Sequence, residues 1–127
     1  MEAIQTQAKF KSVVRSERAI VFISFAWSHQ ALLSEQVVKE WERGWNIWHP
    51  KLSVDIYKLE PDEYPITWEW LKSTKVTWEW LKSTKERGGY GSLAWIKNSV
   101  IVDSESYVIG AGLRDIVRRT EQAFGEG

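Results

Sequence analysis

The stretch AIVFISFAWSHQALLSEQ, residues 19–36, decides how the chain is read. From Ala19 to Ala26 it is β-branched and aromatic, with Ile20, Val21, Phe22, Ile23 and Phe25 almost uninterrupted by polar residues. That pattern predicts a strand buried on both faces, the kind found in the middle of a parallel sheet. The apolar run stops at Trp27. Ser28 is then placed to cap a helix whose apolar positions, Leu32, Leu33, Val37, Val38 and Trp41, recur at helical spacing until Gly44. Strand, tight turn and helix follow one another directly, and the Ser28-His29 pair at the turn raises the question of a nucleophile and its base.

Working outward, residues 2–17 carry Ile4, Ala8, Val13 and Val14 among Gln, Lys and Arg, which predicts a short N-terminal helix. After a Trp-rich connector, Leu52 to Leu59 alternates like a strand and ends at Glu60-Pro61-Asp62, completing a βαβ unit. An internal repeat follows, ITWEWLKSTK at 66–75 and VTWEWLKSTK at 76–85, differing only in the first residue. Two apolar strands, Leu93–Ile96 and Val100–Val102, flank the polar turn Lys97-Asn98-Ser99, and an amphipathic helix closes the chain from Leu113 to Phe124.

Composition bounds the function. With 127 residues, 43% of them hydrophobic, one domain spanning 1–127 with a real core is expected. Seventeen basic residues balance seventeen acidic ones, so no net field draws the chain to nucleic acid or to an anionic membrane, and neither is expected as a partner. The N-terminus lacks a signal-like apolar core, and no run approaches the roughly 20 apolar residues of a spanning helix, so a cytoplasmic protein is expected. There is no cysteine and there are two histidines, too few for a zinc shell; neither a metal nor another cofactor is expected.

Taken in order, these features resemble the thioredoxin family from about Ala19 to Phe124. An apolar strand ends in Phe25-Ala26-Trp27, where the family has an aromatic-rich strand end before its CxxC motif. A second strand ends in the acidic, Pro-containing segment Leu59-Glu60-Pro61-Asp62-Glu63. Gly91 to Asn98 looks like the family's strand and Lys-Asn turn after its cis-proline, and Gly110-Ala111 precedes the closing helix. The resemblance implies a three-layer α/β sandwich, a central mixed sheet flanked by helices, with an elongated helix before the C-terminal β-hairpin. It also implies that Ser28-His29-Gln30-Ala31 falls on the CxxC motif and Gly91 on the cis-proline, so that Trp27, Ser28, His29, Gln30, Ala31 and Gly91 make up a vestigial active-site turn. Disulfide exchange then has no nucleophile, because a helix N-terminus can bring a thiol near neutrality but not an aliphatic hydroxyl.

For Ser28, the catalytic reading is a hydroxyl activated by His29. Adjacent residues at a helix start point roughly 100° apart, and no Asp or Glu is placed by sequence to orient the imidazole. The plainer reading makes Ser28 the N-cap and His29 an exposed first-turn residue. A third, by analogy with the glutathione-transferase branch of the fold, or a peroxidase, has the Ser28 hydroxyl stabilise a bound anion.

Tryptophan is the other unusual feature, nine in 127 residues, four of them in the repeat. As a helix, 66–85 places Trp70 and Trp78 on one arc and leaves Trp68 and Trp80 outside it. As strands, it pairs indoles across a hairpin. Both readings stand at this point, the resemblance favouring helix. Exposed Trp68 and Trp80 are candidates for contact with a protein partner or, in a homodimer, with a second copy of the chain. Trp41, Trp45 and Trp48 are read as packing at the end of the first long helix. Arg114, Arg118 and Arg119 are read as a solvated face. The expected function is a redox-inactive, non-catalytic binding or scaffolding module.

Overall fold

In the computed structural model, which describes residues 1–24, 28–52, 54–60, 91–105 and 107–125, the elements are β1 (Glu2–Ala3), α1 (Gln7–Val14), β2 (Arg18–Ile23), α2 (His29–Trp48), a 3-10 turn (Pro50–Leu52), β3 (Ile56–Leu59), β4 (Ser92–Lys97), β5 (Val100–Glu105), α3 (Val108–Ala111) and α4 (Leu113–Phe124). The repeat at 66–85, and with it the expected elongated helix, Trp68 and Trp80, lies outside the described residues, as does Trp27.

The apolar run becomes the middle strand of a mixed sheet in the order β1-β3-β2-β4-β5. On one side β2 runs parallel to β3, with Ile20 opposite Ile56 and Ile23 opposite Leu59. On the other it runs antiparallel to β4, with Ile20 opposite Trp95 and Ile23 opposite Ser92. Side chains alternate across a strand, and both faces of β2 are covered. Ala19, Val21 and Ile23 pack with Phe10, Val13 and Val14 of α1. Ile20 and Phe22 pack with Val38, Trp41 and Trp45 of α2 and with Ile116 and Phe124 of α4. Helix, sheet and helix pair therefore form three layers. Full burial of such side chains is worth about 1.5–3 kcal/mol each against exposure, so the middle strand anchors both cores.

Local chemistry explains where expectations shift. The predicted N-terminal helix begins late: Glu2–Ala3 pairs parallel with Tyr57–Lys58 of β3, and Thr6 caps α1 by accepting from Lys9 N–H at 3.1 Å. Helix α2 passes through Gly44, since one interior Gly costs only about 1 kcal/mol against Ala and Trp41 and Trp45 are buried on either side of it. It stops before Pro50, whose ring disfavours helical backbone at the preceding residue. The strand expected from Leu52 starts at Ile56 because α2 side chains hold the preceding backbone: Trp45 Nε1 donates to the Leu52 carbonyl at 2.8 Å, and Asn46 Oδ1 accepts from Val54 N–H at 3.1 Å. The β4–β5 turn uses Asn98 (φ 51°) and Ser99 (φ 68°), the doubly left-handed pair that matches hairpin twist. Helix α4 has the expected bounds.

The reading of Arg119 as solvated is corrected. Its side chain is 14% exposed and packs between α4 and β5. Nε and Nη2 grip Asp103 at 2.7 and 2.6 Å, Nη1 reaches Glu105 at 2.9 Å, and Nη2 also donates to the Ser104 carbonyl at 2.6 Å. The guanidinium lies 4.9 Å from the Trp95 ring centroid, a cation–π contact. Trp95 is fully buried, and its Nε1 donates to Thr120 Oγ1 at 2.9 Å. Arg114 and Arg118 remain exposed, Arg118 pairing with Asp115.

Candidate functional site

Ser28 follows the C-terminal end of β2 and caps α2. Its backbone is extended (φ −97°, ψ 117°), and its Oγ accepts from Ala31 N–H at 3.2 Å. One of the N–H groups that a first helical turn leaves without an intrahelical partner is thereby satisfied. Ser28 is 4% exposed, so its hydroxyl is held inside the fold in this capping role. Ala31 is buried beneath it, while His29 and Gln30 point to solvent on the same turn. Among the described residues no hydrogen bond links His29 to Ser28. A serine becomes a nucleophile when a base within hydrogen-bond reach takes its proton, and among the described residues the one hydrogen bond at Ser28 Oγ is the cap to Ala31 N–H.

Gly91 lies just before β4, on the strand that pairs with β2. Its φ is +95°, and a Cβ built there would stand 2.7 Å from Ser34 Cβ, 2.8 Å from Ser34 Oγ and 3.3 Å from the Phe22 ring. The backbone of Gly91 therefore presses on the second turn of α2, where no side chain fits. Its carbonyl accepts from Val108 N–H at 3.2 Å, tying this edge to α3. Ser34, the α2 residue that Gly91 meets, is fully buried against the sheet. Of the residues expected at the site, Ser28 to Ala31 thus form the first turn of α2, and Gly91 meets that helix one turn further on.

Sequence reasoning did not single out Ser34 or Glu35, because both owe their place to contacts distant in the chain. Glu35 Oε1 accepts from Lys58 Nζ of β3 at 2.9 Å, with Glu60 at 3.7 Å from the same ammonium. Burial alone would lower the Lys58 pKa; the Glu35 hydrogen bond and the two carboxylate charges outweigh it and hold it above the ordinary lysine value. This pair fastens α2 to the sheet beside the turn. Among the described residues no group of three or more His, Asp or Glu is placed to hold a metal ion. No helix among them is long and apolar enough to cross a membrane.

No family model matches the chain, and no curated protein matches it by sequence. Solved structures match closely in shape. The oxidised thioredoxin of Plasmodium falciparum is 15% identical, with a TM-score of 0.63 over 98% of this chain and 98% of that one. Thioredoxin O2 of Arabidopsis thaliana, also oxidised, is 17% identical with a TM-score of 0.62, covering 97% of this chain and 93% of its own. Mitochondrial thioredoxin 3 of Saccharomyces cerevisiae is 10% identical with a TM-score of 0.62, covering 96% and 94%. At such identities the likeness is one of fold. The chain has the thioredoxin fold, in a version with no cysteine and therefore no thiol–disulfide exchange of its own.

Proposed function

We propose that this cysteine-free thioredoxin-fold chain is a non-catalytic binding or scaffolding module that works through contacts with protein. The observation that carries the reading is the hydrogen bond from Ala31 N–H to Ser28 Oγ at 3.2 Å. At the turn where the resemblance puts a redox nucleophile, the Ser28 hydroxyl acts as a helix cap, and among the described residues no base is hydrogen-bonded to it. The binding half of the proposal draws on exposed apolar side chains, Ile47 at 70% and Trp48 at 81%, at the end of α2. Large apolar side chains set together on a surface mark interaction sites more often than isolated ones do, and Trp is enriched at interface hot spots.

The competing enzyme reading, a glutathione-transferase-like or peroxidase-like use of Ser28, makes an opposite prediction. Wild type and Ser28→Ala are assayed with glutathione and an electrophilic aryl halide, and with glutathione and a hydroperoxide. The expected result is the uncatalysed rate for both proteins in both assays. Turnover by the wild type that falls at least about tenfold in Ser28→Ala, as loss of a group acting on the reacting centre would produce, overturns the proposal.

A further inference from the structure

Helix α2 has a face turned away from the sheet on which Leu33, Glu40, Arg43 and Ile47 recur three, four or seven residues apart. All four are exposed, Leu33 at 45% and Ile47 at 70%, with Trp48 at 81% beside them. The row from Leu33 to Trp48 is about 22 Å long at the α-helical rise. Charges on the flanks of α2 are matched within the chain: Lys39 to Glu35 at 3.6 Å, Glu35 to Lys58 at 2.9 Å, and Glu42 to the Met1 amino group at 2.8 Å. Glu40 and Arg43, on the open face, have no ion pair among the described residues.

The aliphatic ends of the row are symmetric about its middle. Leu33 and Ile47 each lie seven residues from Glu40, so reversing the helix about that point puts one large aliphatic side chain where the other was. A twofold contact needs this self-complementarity, since the same patch meets itself in the opposite direction. We propose that two copies of the chain associate through α2, the helices antiparallel about an axis near Glu40, with Leu33 against the partner's Ile47 and Glu40 beside the partner's Arg43. Two acid–base pairs form, so the two Glu40 carboxylates nearest the axis are each met by an arginine. The occupant is a second copy because both the missing charge and the missing apolar surface are supplied by this same row. A cleft of about 260 Å³ between α2 and α4, with Gly44 and Trp48 on its wall, gives the Trp48 ring room to settle as the surfaces close. A Cβ at Gly44 would meet nothing within 4 Å, which marks the opening.

This inference rests on the binding-module reading and gives the module a partner. Its test is sedimentation velocity of the full chain across the micromolar range, for wild type, Glu40→Arg, Arg43→Glu and an equimolar mixture of the two variants. Far-UV circular dichroism reports whether each variant is folded. The wild type is expected to sediment as a concentration-dependent dimer. Each single reversal sets like charges against one another and is expected to weaken association at least about tenfold. The mixture is expected to recover the dimer, because one variant presents two arginines and the other two glutamates. A wild type that stays monomeric, a dimer indifferent to both reversals, or folded variants whose mixture stays monomeric overturns the proposal. A monomeric wild type that also turns over no substrate removes the dimer and leaves the non-catalytic reading intact, whereas Ser28-dependent turnover removes that reading whatever the sedimentation.

Discussion

Gly91→Ala is expected to destabilise the fold by about 2–5 kcal/mol, the sum of a left-handed backbone cost and an overpacking cost. The backbone part arises because φ at Gly91 is +95°, a region L side chains seldom occupy. The packing part arises because the new methyl would sit 2.7 Å from Ser34 Cβ, next to where the Glu35–Lys58 pair fastens α2 to the sheet. Domains of this kind are stable by about 5–15 kcal/mol, so the loss is a large share of the total. Urea unfolding followed by far-UV circular dichroism measures it. Ser34→Gly in the Gly91→Ala background should relieve the closest clash but adds the roughly 1 kcal/mol cost of an interior helical glycine, so it should recover only a fraction of the packing part. An unfolding midpoint unchanged by Gly91→Ala would mean that β4 does not approach α2 as closely as described.

Arg119→Ala should cost about 2–4 kcal/mol, since it removes charge-assisted bonds and leaves two half-buried carboxylates facing each other. The same variant carries a pH signature. Hydrogen bonding from Arg119 holds the Asp103 carboxyl below the ordinary aspartate range, against a partial burial that would raise it. A carboxylate with a depressed folded-state pKa contributes stability that is fully present above its unfolded value of about 3.9 and is lost as pH falls through the folded value. Wild type should therefore lose its advantage over Arg119→Ala as pH drops below about 4, and hold it near neutrality. A stability difference that stays constant from pH 7 to pH 3 would show that Asp103 is not Arg119's partner in solution.

How much of this was legible in the sequence depended on how far apart the interacting residues lie. The unbroken Ile20 to Ile23 run identifies the middle strand because burial on both faces leaves its mark at every position. The closing helix was bounded correctly, Gly112 and Gly125 punctuating it at either end. Ser28 reads as a cap because its acceptor serves an N–H only three residues on. By contrast, β1 is two residues long and exists only because Tyr57 and Lys58 lie alongside it. Arg119 looked like one of three exposed cations; its acceptors, Asp103 and Glu105, sit on a strand 14 to 16 residues earlier, a distance no helical pattern spans. At the candidate site, Gly91 was placed by resemblance alone, and the contact with Ser34 that requires glycine there comes from strand pairing that periodicity does not report. Trp41 makes the same point within the core: its apolar position was evident, but not that its buried Nε1 finds no acceptor among the described residues.

The account turns on what the Ser28 hydroxyl does, and the most direct measurement is urea unfolding of Ser28→Ala beside Ser28→Asn. Asn caps helices about as well as Ser but has no hydroxyl, whereas Ala leaves the first-turn N–H without an acceptor. If Ser28 is a cap, Ser28→Ala should lose about 1 kcal/mol and Ser28→Asn should recover most of it. If instead Ser28→Ala is as stable as the wild type, or more stable, the hydroxyl is not satisfying the helix, and the case that this turn has exchanged chemistry for structure fails.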